Sequence, residues 1–357
     1  MKRNAVRLTP ALGALALVLA ACGGSAASTP TTTPAPTSTR PPAATSTPAA
    51  GVPTLAPETS VLFAGSCPDP YPQGAPYTPA PGQPVHLRPQ GAPPALPRYP
   101  STPPVADRAL EAVVRASLGD EAARFAVVVK RLDNGSGVVI DGGRVFYAAS
   151  LFKVWAMLEA YHQREAGLLR FDERYIVSDY YASLALNPGE LELCSQVTVR
   201  DALLRMMSLS DNVAANIVLE RIGYANMNAM LRGQGLAVSG ITSTGDVYTT
   251  ATGMAHLLEA IAQQEAVSAL ASVEMLALLV SESLDARLPA LLPPDTVVAH
   301  KTGSWENATH DAGVVYSPRA AYVIVVLSDL GYADDGDARI AALSRAVYDY
   351  YNRGRVS

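Results

Sequence analysis

Lysine is scarce in this sequence: four of the 357 residues are lysine, and the chain carries 27 basic and 32 acidic side chains in all. The basic residues do not cluster. Residues 105–357 hold 21 basic and 30 acidic side chains, a formal charge of −9. An acidic domain without a basic patch is a poor ligand for a polyanion. The composition therefore excludes nucleic acid as a partner.

Several kinds of catalytic site are also missing. The five histidines show no metal-ligand spacing, which disfavours a zinc hydrolase. The chain has no Gly-x-Ser-x-Gly turn that would expose a nucleophilic serine, and no glycine-rich loop that would hold a phosphate. We therefore expect neither a metal ion nor another cofactor. The histidines are His86, His162, His256, His300 and His310.

Proline is scarce only in the second part of the chain. Of the 28 prolines, 22 lie in residues 23–104 and five in residues 105–357. Residues 23–104 are also rich in Thr, Ala and Ser, a composition that cannot bury enough surface to offset the entropy of ordering. We expect a disordered linker there, although its later part, around Phe63 and Cys67, is less uniform. Residues 105–357 are long enough for one domain with a single core.

The first 22 residues are typical of an export signal. Basic residues precede an apolar run, Pro10–Ala21, that is too short to span a membrane comfortably. The run ends in Leu-Ala-Ala-Cys, which is similar to the lipobox of bacterial lipoproteins, where the cysteine is acylated. That similarity implies lipidation at Cys22 and a mature protein anchored to the outer face of the cell membrane. The alternative is an ordinary signal peptide with a chance cysteine.

Two cysteines remain in the exported chain, Cys67 and Cys194. An extracytoplasmic protein can oxidise such a pair. A disulfide between them is a hypothesis that the sequence leaves open.

From residue 105 the hydrophobic periodicity predicts regular elements. Helices are predicted at 106–118, 150–166, 199–207, 213–222, 250–263, 267–280 and 337–351. Strands are predicted at 125–132, 138–140, 297–302, 312–316 and 321–329, with a hairpin turn at 133–135. This order predicts an α/β (α+β) fold: one antiparallel sheet from both chain ends, flanked by helices, plus an all-helical lobe. We expect a ligand cleft where the lobe meets the sheet.

The first candidate for chemistry is Ser150-Leu-Phe-Lys153, at the start of a predicted helix. Residues three apart lie on one helical face, so Lys153 can reach the Ser150 hydroxyl. A serine needs such a base, and burial lowers the pKa of a lysine enough to make it one. Alone, this spacing also fits a solvated pair on a helix surface.

Two further motifs combine hydroxyl, amide and amine groups. Ser210-Asp-Asn212 lies between two predicted helices, where it can relay a proton and orient a carbonyl, but the same residues are common helix caps. Lys301-Thr302-Gly-Ser304 lies at the end of a predicted strand, where it can bind a carboxylate; it also fits a charged strand end followed by a turn.

Together and in this order, the three motifs resemble those of class A β-lactamases and penicillin-binding proteins, S-x-x-K, S-D-N and K-T-G. The resemblance covers residues 105–357 and includes Gly167–Asp172 and the helical stretch Met206–Gly223. It implies a serine hydrolase whose active site lies at the junction of lobe and sheet.

The resemblance also implies a role for each motif residue. Ser150 would be the acylated nucleophile and Lys153 its base partner, while Ser210 would pass a proton to the departing nitrogen. Asn212 would position the acyl side chain of the substrate. The carboxylate would be bound by Lys301 and Thr302, and the backbone N–H groups of Ser150 and Ser304 would form the oxyanion hole.

One part of the family pattern is missing. After S-D-N, class A enzymes carry a loop whose first glutamate activates the water that hydrolyses the acyl-enzyme. Residues 237–246 contain no glutamate, and their only carboxylate is Asp246, which fits a structural position at the end of the loop. We therefore expect acylation with slow deacylation.

Three functions remain open from the sequence. The first is a class A β-lactamase-like hydrolase of a β-lactam or related acyl amide. The second is a penicillin-binding D,D-peptidase that acts on peptidoglycan stem peptides. The third is a non-catalytic envelope protein that binds or senses a ligand with the same fold. We expect a monomer whose only membrane contact is the lipid anchor.

Overall fold

The computed structural model describes residues 89–332 and 335–353. No helix in those two ranges has the length and apolar character needed to span a membrane. The predicted signal peptide with Cys22, the linker up to residue 88 and Cys67 lie outside the described residues.

A six-stranded sheet forms the centre of the domain, in the strand order β1-β3-β2-β11-β10-β9. All neighbours are antiparallel except the short β1, which pairs in parallel with β3. The strands of this sheet are β1 Val105–Ala106, β2 Phe125–Arg131, β3 Ser136–Ile140, β9 Val297–Trp305, β10 Ala308–Ser317 and β11 Ala320–Ser328. Three strands come from each end of the domain, so the predicted sheet built from both chain ends is confirmed.

Smaller strands and the helices make up the rest. The remaining strands are β4 Val145–Tyr147, β5 Arg174–Ile176, β6 Gln196–Thr198, β7 Gly240–Ile241 and β8 Val247–Thr250. The helices are α1 Arg108–Leu118, α2 Phe152–Glu165, α3 Asp179–Ala182, α4 Val199–Ser208, α5 Asn212–Ile222, α6 Tyr224–Gly233, α7 Ala251–Ala262, α8 Ala269–Val280 and α9 Gly336–Asn352.

The sheet is covered on both faces, which explains the continuous apolar run in β2. Val127 and Val129 point to the cluster that includes side chains of α1 and α9, whereas Val128 belongs to the larger cluster with α2 and α7. Successive side chains of a strand point to opposite faces, so a strand buried on both sides loses the usual polar alternation.

The centre of the helical lobe is α2. Eleven of its 14 residues are buried, among them Trp155 with no exposed surface. A helix that is buried nearly all round must be enclosed by other helices. Here α5, α6 and α4 pack against it. The sequence patterns did not predict β1, α3, α6 or the small strands β4 to β8. All of these except α6 are too short to show a periodicity, and α6 buries only Met227, Met230 and Leu231.

Residues 89–104, here called the strap, lack regular secondary structure apart from a bend but pack against the domain. Tyr99 is buried, its N–H donates to Gln234 Oε1 at 2.8 Å, and Gln234 Nε2 donates to Pro97 O at 3.0 Å. Lys130 Nζ donates to Thr102 O at 2.7 Å. The expectation of a disordered linker up to residue 104 is therefore corrected for this segment, because an average over Pro, Ala and Thr conceals one large side chain that is buried.

Cys194 is disulfide-bonded and has a positive φ of 65°. Its predicted partner, Cys67, lies outside the described residues.

Candidate active site

Ser150 lies in a single 3₁₀ turn, Ala149–Leu151, between β4 and α2. The helix therefore begins at Phe152, two residues later than predicted. Ala149 has a φ of 46°, in the left-handed region where a side chain is strained. This sharp turn carries the half-buried Ser150 to the N-terminus of α2, where backbone N–H groups without a partner in the helix are suited to binding an anion.

Lys153 is one helical turn beyond Ser150 and is completely buried. Its Nζ donates to Ser210 O at 2.5 Å, to Ser210 Oγ at 3.0 Å and to Asn212 Oδ1 at 2.9 Å. The structure thus brings three predicted site residues into direct contact. Within the described residues, the hydrogen bonds of Lys153 Nζ go to Ser210, which lies between α4 and α5, and to Asn212, the first residue of α5.

Burial lowers the pKa of Lys153 to about 7, and the nearby charge of Lys301 acts in the same direction. The oxygens that hold Lys153 belong to a carbonyl, a hydroxyl and an amide, none of which carries a negative charge. Near pH 7 the ammonium and the neutral amine are therefore both present. The ammonium donates all three hydrogen bonds, whereas the neutral amine donates two and has a lone pair that can accept a proton from a nucleophile.

The segment from Ser210 to Asn212 caps a helix and also contacts Lys153. Asp211 caps α5, because its Oδ1 accepts from Ala214 N at 2.9 Å, and its Oδ2 accepts from Arg205 Nε at 2.9 Å. Ser210 has a φ of 56°. With Asp211 fixed as the cap, the side chains of Ser210 and Asn212 both contact Lys153.

The third motif lies on β9, beside the turn that carries Ser150. Gly303 explains how the two come so close: a Cβ added there would lie 3.1 Å from the backbone oxygen of Ala148. A side chain at this position would crowd the serine turn, so the glycine of the motif suits the close approach of the strand.

Lys301 and Thr302 meet a carboxylate of the protein itself. Lys301 Nζ donates to Glu282 Oε2, and Thr302 Oγ1 donates to Glu282 Oε1 at 3.2 Å. All three residues are buried. Burial lowers the pKa of Lys301 and raises that of Glu282, and the attraction between the two charges opposes both shifts. Glu282 belongs to no motif and was therefore not predicted from the sequence.

Arg287 holds the far end of this motif. Its Nη2 donates to Ser304 Oγ at 2.5 Å, and its Nη1 donates to Gly303 O at 2.9 Å. Asp337 in α9 accepts from Arg287 Nε at 2.6 Å. Arg287 was not recognised from the sequence, since it lies in an irregular stretch between α8 and β9.

A neutral histidine connects the sheet to the serine turn. His310 Nδ1 accepts from Ser328 N at 3.1 Å, and its Nε2 donates to Tyr147 O at 2.8 Å. Burial lowers the pKa of His310 to about 4. The imidazole is therefore uncharged near neutral pH. Its Nδ1 contacts β11 and its Nε2 contacts β4, from which the serine turn follows.

Two carboxylates are candidates for contact with the acyl-enzyme. Asp246 is exposed in the turn between β7 and β8, and its carboxylate accepts from Thr244 Oγ1 at 2.7 Å. Glu190 is buried in the loop before β6 and accepts from Asn212 Nδ2 at 2.6 Å. The sequence analysis did not single out Glu190. Among the residues described, no group of three or more His, Cys, Asp or Glu side chains could hold a metal ion.

The family model of the β-lactamase enzyme family matches residues 106–351. The chain belongs to this family. The match covers almost all of the domain, including the three motifs and the sheet strands from both ends.

Individual relatives within the β-lactamase family are distant. A β-lactamase of Bacteroides uniformis is 29% identical over 177 residues, 43% of this chain and 60% of that protein. The chain therefore spans less than two thirds of that relative's length. The extended-spectrum β-lactamase PER-1 of Pseudomonas aeruginosa is 25% identical over 258 residues, 64% of this chain and 82% of that protein.

Among solved structures, that of PBP-A has a TM-score of 0.64 and 25% identity, and the match covers 70% of this chain and 98% of that one. A mutant of PBP-A, solved as its acyl-enzyme complex with penicillin G, matches with the same TM-score and identity. These neighbours confirm the predicted β-lactamase-like fold.

Proposed function

We propose that this protein is a serine hydrolase of the class A β-lactamase type, which opens a β-lactam or a related acyl amide through an acyl-enzyme on Ser150. The observation that carries the proposal is the state of Lys153: it is buried, its pKa is lowered to about 7, and it contacts Ser210. A lysine on the surface would be exposed and would keep its ordinary pKa. The environment of Lys153 therefore favours a base over a solvated cation.

In this proposal, acylation uses these groups in turn. Ser150 Oγ attacks the carbonyl carbon while its proton passes to the neutral amine of Lys153. The C–N bond breaks, and the Ser210 hydroxyl donates its proton to the departing nitrogen and regains one from the Lys153 ammonium. The product is an ester on Ser150. The N–H groups of Ser150 and Ser304 stabilise the oxyanion, and losing one such donor typically costs about 3–4 kcal/mol in the barrier.

The substrate carboxylate binds at the Lys301 and Thr302 end of the cleft in this proposal. Glu282 already shares both of these side chains. Arg287, which bonds the Ser304 hydroxyl, adds a guanidinium beside the same strand end. A guanidinium suits a carboxylate because it offers several donors in one plane.

Deacylation is slow in this proposal. The turn between β7 and β8 takes the place of the loop that carries the base in class A enzymes, and its one carboxylate, Asp246, is exposed and bonded to Thr244. Hydrolysis of the ester needs a base that is within reach of a water molecule.

The missing loop glutamate also supports a second candidate function, a penicillin-binding D,D-peptidase that acts on peptidoglycan stem peptides. The likeness to PBP-A, at 25% identity, points the same way. A non-catalytic binding protein is the third outcome that the experiment below can return.

One experiment separates these functions. The purified protein is mixed with a chromogenic β-lactam, and product formation is followed in a stopped-flow instrument, in parallel with release of D-alanine from a peptide ending in D-Ala-D-Ala. A stoichiometric burst followed by slow turnover is expected, with no D-alanine release. Release of D-alanine would support the peptidase, and the absence of both signals would contradict both enzymatic functions.

We also propose that the mature protein is a lipoprotein anchored through Cys22 on the outer face of the cell membrane. The test is incorporation of radiolabelled palmitate in cells that express the full chain. Label is expected in the wild type and not in the Cys22→Ala variant. Equal labelling of the two, or none in either, would contradict lipidation at Cys22.

A further inference from the structure

Asn212 lies between two groups of opposite hydrogen-bonding character. Its Oδ1 accepts from Lys153 Nζ at 2.9 Å, and its Nδ2 donates to Glu190 Oε1 at 2.6 Å. An ammonium or amine of lysine near a carbonyl oxygen acts as the donor, whereas a carboxylate only accepts. The two neighbours therefore allow one orientation of the carboxamide and exclude the flipped one, in which each polar atom would face a group of its own kind.

Glu190 is itself held firmly. Its Oε1 also accepts from Asn187 N at 3.1 Å and from Asn187 Nδ2 at 2.9 Å, and its Oε2 accepts from Leu186 N at 3.3 Å. The residue is 8% exposed. A buried carboxylate that accepts from several donors is held in one place.

The loop around Glu190 is fixed to the helical lobe at two more points. Arg205 Nη2 donates to Gly189 O at 2.6 Å, and Leu191 N donates to Asp211 Oδ2 at 3.0 Å. Asp211 is the cap of α5, the helix that begins with Asn212. The Glu190 carboxylate and the Asn212 carboxamide are thus both anchored at the N-terminal end of α5.

We propose that Glu190 is a positioning residue for Asn212: it fixes the carboxamide so that Oδ1 faces Lys153 and the second N–H of Nδ2 is presented to the acyl carbonyl of the substrate. This inference rests on the proposed function, in which Asn212 positions the acyl side chain. Glu190 acts through Asn212 and does not touch the reacting atoms.

Glu190 does not have the geometry of a deacylation base. Three of its four hydrogen bonds converge on Oε1, the oxygen that contacts Asn212. An oxygen that already accepts three hydrogen bonds is poorly disposed to accept a proton from water as well. The same contacts suit a group whose task is to hold another side chain.

The test compares two substrates and three variants. Benzylpenicillin carries an acylamido side chain, and 6-aminopenicillanic acid has the same ring system without it. In Glu190→Gln, acylation by benzylpenicillin is expected to slow about tenfold, the loss typical of one charge-assisted hydrogen bond. Acylation by 6-aminopenicillanic acid is expected to change much less, because Lys153 keeps its two contacts with Ser210.

The matched control is Asn187→Ala. It removes a hydrogen bond to the same carboxylate from the loop side but leaves the contact with Asn212 intact, so the ratio of the two rates should stay that of the wild type. Asn212→Ala supplies the reference loss, and the double variant with Glu190→Gln should be no slower than Asn212→Ala alone. If Glu190→Gln does not fold, Glu190→Asp serves, since its shorter side chain keeps the charge but withdraws from Asn212.

A second readout needs no substrate. In ¹⁵N-labelled protein, one side-chain amide proton of Asn212 should lie far downfield of the other, because it is bonded to a carboxylate. This separation should collapse in Glu190→Gln and persist in Asn187→Ala, with the signal assigned by its loss in Asn212→Asp. If no β-lactam acylates the wild type, the proposed function fails, and the amide signals still decide whether Glu190 holds Asn212.

Three results would overturn the inference. Equal slowing with both substrates would give Glu190 a general structural role. Unchanged acylation with a longer-lived adduct would make it a base for deacylation. Asn212 amide signals that do not respond to Glu190→Gln would show that the carboxylate does not orient the amide.

Discussion

Two buried lysines in one cleft have different partners, and this difference sets their roles. Lys153 is held by three uncharged oxygens, whereas Lys301 is paired with the Glu282 carboxylate. Burial penalises the charge of both, but only Lys301 contacts a carboxylate directly. Nearby carboxylates, Glu190 first, raise the pKa of Lys153 by less than burial lowers it. We therefore expect the neutral amine at Lys153 and the ion pair with Glu282 at Lys301.

The first prediction is a pH dependence of acylation. Below about pH 7 Lys153 is an ammonium and cannot accept the serine proton; above about pH 7 it is a neutral amine. The second-order rate constant for acylation should rise with pH up to about 7 and then level off, as measured by stopped-flow between pH 5.5 and 8.5. The Lys153→Ala variant should show no acylation at any of these values. A wild-type rate that stays constant across the range would contradict the assignment.

The second prediction concerns the Lys301–Glu282 pair. Removing one partner leaves the other charge buried and uncompensated, which costs about 3–5 kcal/mol in similar cases. Glu282→Gln should lower the free energy of unfolding by that amount in urea denaturation. The double variant Glu282→Met/Lys301→Met, in which no charge is left buried, should recover most of the loss. A cost below about 1 kcal/mol for Glu282→Gln would show that the pair is not needed for stability.

The motif residues of the site could be recognised from the sequence, but their partners could not. Ser150, Lys153 and Ser210 belong to short motifs with fixed spacing. Because the chain has only four lysines, a motif that contains one is easy to recognise. Glu190, Glu282 and Arg287 lie in irregular stretches. They reach the site through the folding of loops, which leaves no periodic signal.

At the scale of elements, the strap connects chain segments that are far apart in sequence. Besides its contacts with Gln234 and Lys130, its Pro94 carbonyl lies 2.8 Å from His162 Nε2, on α2. Tyr99 belongs to the same hydrophobic cluster as Trp155, the largest side chain of α2. The strap therefore packs on the helix that carries Lys153.

The third prediction measures that packing. Tyr99→Ala should lower the free energy of unfolding by about 3 kcal/mol, because it removes a large buried side chain. Tyr332→Ala is the control, since that tyrosine is 67% exposed and its loss should matter little. Both values come from urea denaturation of the full chain. Equal stability of the two variants would mean that the strap does not contribute to the folded domain.

The fourth prediction concerns the turn between β7 and β8. Asp246 is exposed and bonded to Thr244 within this turn, so Asp246→Asn should leave the lifetime of the acyl-enzyme unchanged. The lifetime is read from the decay of the adduct by mass spectrometry. The control is Thr244→Val, which removes the same hydrogen bond from the other side. It shows whether a change in the turn alone alters the lifetime of the acyl-enzyme. A several-fold longer lifetime in Asp246→Asn alone would make Asp246 the deacylation base.

For the molecule as a whole, the sheet and lobe were predictable because their elements are long and strongly patterned. Both β2 and β11 are rich in consecutive apolar residues, and α9 buries residues at a helical spacing, such as Ile340, Leu343 and Val347. The strap, α6 and the short strands were not predictable, since their positions depend on contacts with the finished domain. The cleft depends on both groups, because β9 packs against the serine turn, which follows β4, and β4 is paired with β8.

The most direct measurement is the site of acylation. Wild-type protein and the Ser150→Ala variant are each incubated with benzylpenicillin, and the intact mass is recorded before the adduct is located by peptide mapping. We predict one penicilloyl group per chain in the wild type, on the peptide that contains Ser150, and none in Ser150→Ala. An adduct that persists in Ser150→Ala, or that maps to another residue, would contradict the assignment of Ser150 as the nucleophile.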